Sequence, residues 1–418
     1  MKKERLAIIG SGISGLSAAC IFQDRYDVTL FEKEDRLGGH ARTITIDDGT
    51  SPFPVDTGFI VYNERNYPHL TKFFAHYNVE TEDSSMSFGV DMRNLGLSYA
   101  STSVAIPSKN WLKRDYWIML KDILRFNKVG KAYLNAPTDL TLGAFLKKEG
   151  FSAWFCNYYL RPMGAAIWSC PLKTIDAYPA ATFLRFFDNH GLLTVFDQPD
   201  WRTVKGGSRQ YIEKILSHLN IALRLNSAIQ TVSREGTSVI VTDTQGQGEE
   251  FDLVIFATHA DQTVRILDQM DETETEILSG FRFQPNRVVV HGDTSLMPKT
   301  KRDWASWVYL SEAGEDDKED VSLSYWMNNL QTLATTKPVI VTLNPSRLPD
   351  DTLIYDTHDF AHPVFTTEAI EAQKRLNEIQ GRGGIYHAGA WTRYGFHEDG
   401  ILSAVRIAEK LGVTPPWM

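Results

Sequence analysis

Leu6-Ala7-Ile8-Ile9-Gly10-Ser11-Gly12-Ile13-Ser14-Gly15-Leu16-Ser17-Ala18-Ala19-Cys20-Ile21-Phe22 decides the fold. An apolar run reads as a buried strand, three glycines follow at G-x-G-x-x-G spacing, and the rest has the composition of a helix. That order is the context a dinucleotide fingerprint requires. Gly10 permits the tight turn, Gly12 lets the backbone approach a pyrophosphate, and Gly15 lets helix and strand pack closely. Ile13 and Ser14 then open a helix whose free N–H groups and positive dipole end favour an anion. A second strand, Val28 to Phe31, ends at Glu32, with Lys33 beside it. An acid about 20 residues past the turn binds ribose hydroxyls and disfavours a 2′-phosphate.

The fingerprint by itself fits FAD and NAD alike, and the next residues separate them. Glu34-Asp35-Arg36-Leu37-Gly38-Gly39-His40-Ala41-Arg42 follows the second strand. Near the other end stands His387-Ala388-Gly389-Ala390-Trp391, then Gly395-Phe396-His397-Glu398-Asp399-Gly400-Ile401-Leu402-Ser403. In these stretches the chain resembles the superfamily of flavin amine oxidases, phytoene desaturases and protoporphyrinogen oxidases, a likeness that covers most of its length. A closer resemblance, to FAD-binding oxidoreductases encoded beside cyclopropane fatty acid synthases, is carried by Asp56-Thr57-Gly58-Phe59-Ile60-Val61-Tyr62-Asn63-Glu64-Arg65 and by Gly395 to Gly400.

The resemblance implies a noncovalent FAD, since no cysteine stands in a closing Ser-Gly-Gly-Cys-Tyr context. Implied contacts are Gly38, Gly39 and His40 along the phosphate and ribityl region, with Thr57, Gly58 and Phe59 beside them, and Ile229 at the adenine. Gly389, Ala390, Glu398, Asp399, Gly400 and Ile401 complete the set at the start of a last helix under the flavin ring. Amine oxidases often carry an acid where this chain has Ala390, so Asp399 is the expected substitute. For Ile229 the plain reading, an ordinary strand residue, stands equally.

At 418 residues the chain exceeds the roughly 250 to 300 that one core supports. The expected fold is α/β plus α+β: a discontinuous Rossmann-like FAD-binding domain (1–65, 201–261, 381–418) and a substrate domain (66–200, 262–380) built on a mostly antiparallel sheet covered by helices. Val204-Lys205-Gly206-Gly207-Ser208-Arg209 opens the middle return, and strands are expected at 221–225, 239–242 and 252–258, the last two joined through a turn at Gln245 to Gly248. Arg287 to His291, Ala305 to Tyr309, Ser322 to Trp326 and Val339 to Thr342 supply the strand rhythm of the second domain, and the acidic stretch 312–320 reads as a solvated hairpin loop.

A net charge of −9 gives no general attraction to nucleic acid. Cys20, Cys156 and Cys170 make no paired framework or CxxC. Met1-Lys2-Lys3-Glu4-Arg5 with Ala18-Ala19-Cys20 mimics a lipidated signal, but glycines and serines break the apolar region as a phosphate turn would. No run of 18 or more apolar residues suggests a spanning helix. The expected location is therefore cytoplasmic, or peripheral at the inner membrane surface.

Flavins carry the redox chemistry themselves, so the protein aims substrate, excludes water and tunes the ring. No GxSxG, HExxH or nucleophilic triad is found, and none is needed. His397 and Glu398 are catalytic candidates that move protons, or they cap and orient the loop. Tyr325 and Trp326, with Trp304, Trp307, Tyr309 and Tyr394, line an apolar pocket or fill strands as aromatics ordinarily do. Asn328 and Asn329 lend an amide or make a turn. Lys299 and Lys301 stand where amine oxidases place a lysine near the flavin, though a lysine pair after Pro298 reads better as a solvated turn.

The stretch Lys109 to Lys131 opposes the overall acidity. Lys109, Lys113, Arg114, Lys121, Arg125, Lys128 and Lys131 face only Asp115 and Asp122, with aromatic and aliphatic residues interleaved. It reads as a segment that lies on an anionic membrane, or as a helix with a solvated basic face. The functional expectation is an FAD-dependent oxidoreductase moving hydride at a carbon–carbon bond of an apolar substrate, a fatty acyl lipid by resemblance. Amine oxidation and a redox-silent FAD-bound partner of a lipid-modifying enzyme are the alternatives.

Overall fold

The computed structural model describes residues 3–49, 51–104, 106–135, 138–168, 172–189, 191–194, 198–312 and 322–418. Cys170 and positions 313–320 of the acidic loop lie outside them.

Residues far apart in sequence build one parallel sheet. Its strands run in the order Ala222–Arg224, Asp27–Phe31, Arg5–Ile9, Leu253–Phe256 and Ile385–His387. Leu6, Ala7, Ile8, Val254, Ile255 and Phe256 are all fully buried, as expected of strands covered on both faces. The first helix, Ile13–Phe22, is buried along its whole length, so it is apolar all round rather than striped. It lies between that sheet and the last helix, His397–Leu411, where Ile401, Ala404 and Val405 join its core.

The expected hairpin is corrected in one partner. Ser238–Asp243 pairs antiparallel with Gly248–Phe251, while Leu253–Phe256 leaves for the parallel sheet. The switch is held at Asp252, whose N–H donates to the Arg5 carbonyl (3.0 Å) and whose carboxylate accepts the Arg5 N–H (2.7 Å). A strand that is apolar on both faces has to be covered on both, which a hairpin at the surface does not provide.

A second, seven-stranded sheet runs Ile354–Val364, Arg282–His291, Ile340–Leu343, Ser322–Trp326, Trp307–Ser311, Phe88–Met92, Leu97–Ala100. All its pairings are antiparallel except Trp307–Ser311 on Phe88–Met92. Ile354–Val364 was invisible to sequence patterning because its polar residues and Pro363 disguise it. An edge position tolerates both features, since one row of its backbone groups needs no partner. Helices Arg114–Leu134, Leu142–Glu149, Arg161–Trp168 and Ala180–Asn189 cover this sheet, and their buried aromatics dominate the largest core. Among the described residues no helix is long and apolar enough to cross a membrane.

Candidate functional site

Three glycine segments meet at the carboxyl ends of Arg5–Ile9 and Asp27–Phe31. Gly38 donates its N–H to the Ser11 carbonyl (3.1 Å). Gly39 turns with φ +56°, and a Cβ there would stand 3.2 Å from the Gly12 Cα. A Cβ on Gly400 would fall 2.6 Å from Ile13 Cγ2 and 2.9 Å from Ser14 Oγ, so the last helix starts directly against the first. Gly12, by contrast, has no atom within 4 Å of where a Cβ would stand. That open side lies at the N-terminus of Ile13–Phe22, the place an anion is held.

Glu32 is buried at the end of its strand. Ser11 donates its N–H (3.0 Å) and its hydroxyl (2.5 Å) to one carboxylate oxygen, and the Glu34 N–H donates to the other (3.0 Å). The acid is thus held beside the glycine turn. Lys33 points outward, its ammonium 3.5 Å from Glu34. Ile229 begins the strand Ile229–Glu235 just after Ser227, whose N–H bonds the Glu32 carbonyl (2.8 Å). An acid at the strand end, an open glycine at a helix N-terminus and a double glycine packed on it form the donor and acceptor set that a dinucleotide needs, so the residues present fit FAD.

The double-glycine loop continues into a layered contact. His40 receives the Phe59 N–H on its carbonyl (2.8 Å), and Gly58 packs so closely that a Cβ would lie 2.1 Å from that oxygen. Thr57 donates its N–H to the Arg42 carbonyl (2.9 Å). Phe59 stacks on His397 at 3.7 Å, and the His397 Nε2 lies 3.4 Å from the Tyr211 hydroxyl. Burial holds His397 down to about 3, uncharged at neutral pH.

The closing loop spends its carboxylates on itself and its neighbours. Glu398, a catalytic and cofactor candidate by sequence, accepts the N–H groups of His69 (3.1 Å) and Leu70 (3.0 Å). It thereby satisfies the exposed end of helix Pro68–His76, where Pro68 has no N–H to offer. Burial raises its carboxyl, and those two N–H groups oppose the rise. Asp399 accepts from Phe396 N–H (3.0 Å) and Tyr394 N–H (3.3 Å), with Arg393 at 3.5 Å. Burial pushes it up to about 7. The Gly389 N–H is taken by Ser403 Oγ (2.9 Å), and the Trp391 indole N–H by the Thr258 carbonyl (3.0 Å). Ala390 accepts the Gly395 N–H (3.1 Å), which closes the loop on itself.

Tyr394 and Phe396 stand against Phe186 at 5.9 and 5.2 Å. They continue the aromatic core of the helices up to the start of the last helix. Tyr325 packs on Trp307 (5.2 Å) at that same core. Trp326 does not. Successive strand residues point to opposite faces, and Trp326 meets Trp304 (5.2 Å) in a separate small cluster. Its pairing with Tyr325 as a catalytic candidate is thereby corrected. Lys299 and Lys301 are exposed, Lys301 lying 5.7 Å over the Trp304 ring. Asn328 makes a turn, its amide bonding Lys337 O and Val339 N–H.

Sequence reading missed two groupings. His40, His259 and His362 come together, with His40 ring centroids 6.0 Å from His259 and 5.2 Å from His362, and Phe360 stacked on His40 at 4.6 Å. Burial holds His40 down to about 4 and the other two to about 3. Asn286 Nδ2 donates to His362 Nδ1 (2.7 Å), while the buried Nε2 of His40 has no partner among the described residues. The second grouping is Asp56, fully buried, which accepts from Thr43 Oγ1 (2.5 Å), Ser208 N–H and Oγ (2.8 Å each) and Gln331 Nε2 (2.8 Å). It ties the strand beside Thr57 to the Gly206-Gly207-Ser208 turn and, through Gln331, to the segment that joins Ser322–Trp326 to Ile340–Leu343. The one signal available for the histidines was alternation: His358, Phe360 and His362 share a face of their strand.

Among known proteins, the family model of flavin containing amine oxidoreductases matches residues 13–269. A Mycobacterium tuberculosis protein named for flavin-containing monoamine oxidase activity is 23% identical over 259 residues, covering 58% of this chain and 54% of its own. Farnesylcysteine lyase of Arabidopsis thaliana is 21% identical over 299 residues, 62% of this chain and 58% of its own. The chain thus spans little more than half the length of these relatives. A CLA-producing fatty acid isomerase from P. acnes superposes with TM-score 0.70 over 98% of this chain and 99% of its own at 16% identity, a likeness of fold.

Proposed function

The chain belongs to the flavin containing amine oxidoreductase family, and on that premise we propose that it is an FAD-dependent oxidoreductase that moves hydride to or from a carbon–carbon bond of an apolar substrate of the fatty acyl kind. Bound FAD supplies the hydride acceptor or donor. The chain's own residues do the rest. Gly10, Gly12, Ile13, Ser14 and Gly15 take the phosphates, Glu32 the ribose, and Gly38, Gly39 and His40 the stretch toward the ring. Thr57, Gly58 and Phe59 back that stretch, with Ile229 at the adenine. Gly400 and Ile401 bring the last helix's N-terminus, whose dipole stabilises negative charge. Gly389 and Ala390 shape the closing loop. Lys33 has no part in this reading, because it faces solvent beside Glu34. The five segments expected from sequence remain the domain division we propose.

The observation that carries the substrate class is the aromatic wall: Phe186, Tyr394 and Phe396 continue the core of the helical layer to the start of the last helix. Burial there favours apolar matter and penalises charge. Glu398 and Asp399 are positioning residues. One fixes helix Pro68–His76 and the other fixes the turn that presents Tyr394 and Phe396. Kinship to enzymes encoded beside cyclopropane fatty acid synthases and a cytoplasmic location belong to the same proposal.

Anaerobic titration tests it. Loss of the oxidised flavin band on adding fatty acyl lipids, with no bleaching by amines, is the expected result; restoration of the band with a product of shifted double bond identifies an isomerase. Amine oxidation is the second reading, favoured by the family match and by the Mycobacterium tuberculosis relative. Bleaching by simple amines with peroxide release in air, and none by lipids, replaces the first reading with the second.

A further inference from the structure

Helix Arg114–Leu134 has two unlike faces. Tyr116, Met119 and Phe126 are buried in the aromatic core. The opposite stripe holds Arg114, Trp117, Lys121, Leu124, Lys128 and Lys131, all exposed, at the three-and-four spacing that places residues on one side of a helix. Leu112, in the turn just before, is 88% exposed, Leu124 61% and Trp117 46%. Isolated exposed apolar residues are ordinary; large ones interleaved with cations along one stripe are the pattern of a helix lying in a membrane interface.

The patch extends past the helix. Lys113 Nζ donates to the carbonyls of Leu95 (2.9 Å) and Gly96 (3.1 Å), which ties the segment of Leu95, itself exposed, to the start of the helix. The Trp117 indole N–H is taken by the Trp111 carbonyl (2.9 Å), so its polar atom makes no claim on solvent. Arg125 is excluded from the patch, being tied to Asp122, to the Glu149 carbonyl and, in stacking, to Phe151. Among the described residues Arg114, Lys121, Lys128 and Lys131 form no ion pair. Asp115 is the exposed acid on the helix, on a chain whose net charge is −9.

We propose that this face docks on an anionic lipid bilayer, its lysines and Arg114 at the phosphates and Leu112, Trp117 and Leu124 in the interfacial layer. A nucleic acid or an acidic protein surface would meet the cations but leave the leucines and the tryptophan in water. A bilayer meets both. The inference deepens the acyl-lipid reading by naming the surface from which such a substrate is taken, since the buried side of the same helix belongs to the aromatic core that reaches Phe396.

The test is flotation of the flavin-loaded full chain with vesicles of phosphatidylcholine alone or mixed with phosphatidylglycerol, at low and high salt. Co-flotation with the anionic vesicles, weakened by salt, is expected. Lys121→Glu with Lys128→Glu should lower partitioning about tenfold or more, and Leu112→Ser with Trp117→Ser should lower it at every salt concentration. Melting temperature well above the assay temperature and full flavin content, measured on each variant, show that the variants fold. Equal flotation of both double variants and the parent overturns the proposal, as does binding of soluble polyanions without any to vesicles. Flotation requires no turnover, so its failure is distinct from failure of detergent-dispersed acyl lipids to bleach the flavin, which tests the substrate reading alone.

Discussion

The glycine junction and the histidine face lie on either side of Gly39 and are built in opposite ways. At the junction, close approach is the function: Gly15 and Gly400 let two helices meet where a side chain would collide, and Gly39, at φ +56°, turns the loop tightly against Gly12. At the histidine face the side chains are the function. His40, His259 and His362 come from a loop, a helix N-cap and an edge strand, and their uncharged state is imposed by burial. The first region is specified by what is missing from residues close together, the second by what residues far apart bring to one place. A sequence displays the first kind far more readily.

The contrast can be broken hardest at Gly15. A Cβ there would stand 1.9 Å from the Gly10 carbonyl oxygen, a backbone atom that cannot step aside. Gly15→Val should therefore yield protein without flavin and with the glycine turn displaced; a variant with the parent's visible spectrum and melting temperature would sink the close-packing account.

Next in size is Glu32→Gln. It keeps the shape but turns charge-assisted bonding to the ribose into neutral bonding, a difference of about 1 to 1.5 kcal/mol for one such bond. FAD should dissociate roughly 5- to 10-fold more readily, read from recovery of free-flavin fluorescence, while the histidine face stays intact. An unchanged FAD affinity removes Glu32 from the cofactor site.

The histidine face should show itself in pH dependence. Unfolded histidine titrates near 6.5, whereas His40, His259, His362 and His397 sit at about 3 to 4 when folded. Between those limits the unfolded chain binds more protons, so stability falls as pH drops from about 6.5 toward 4. Asp56, raised by burial to about 6, and Asp399, to about 7, act in the opposite sense, favouring the folded state as pH falls through their range. The four histidines should outweigh the two carboxylates. Melting temperature against pH should thus decline on acidification, and His362→Gln should flatten the decline; an equal slope in parent and variant would mean that the ring is solvated.

The smallest effect is expected at Glu398→Ala. Loss of a helix cap costs about 1 kcal/mol, a melting shift of only a few degrees in a chain of this size. Turnover at saturation should survive with its pH profile unchanged. A collapse of kcat with a displaced pH optimum would make Glu398 a proton carrier after all.

The fold's nucleotide half was legible because its signals are local. A buried parallel strand is apolar on both faces, its glycine turn follows at once, and an acid closes the next strand within one βαβ unit. The second sheet was legible only in part: Ser322 to Trp326 reads directly, whereas Ile354–Val364 hides its membership behind polar alternation and Pro363, which an edge permits. At the site, Gly12 and Glu32 were named from the spacing of the glycine turn and its acid, whereas Gly39 and Gly400 were named from the family resemblance. Trp326 was named for a role its direction does not serve, and of the two readings left open for Glu398 its direction serves the capping one, because direction depends on what stands opposite: Trp304 in one case, the N-terminus of Pro68–His76 in the other.

Read alone, the residues pointed to a dinucleotide and to the order in which the chain leaves and re-enters its nucleotide sheet, since glycines and strand-ending acids act through the backbone of their own neighbourhood; the choice of FAD came with the family resemblance. Only the tertiary structure decided which side chains share a space: the three histidines, the Asp56 knot and the aromatic wall. Contacts between residues hundreds of positions apart leave no local period to read. They exist because burial forces each polar group to find a partner, and which partner is within reach is settled by packing.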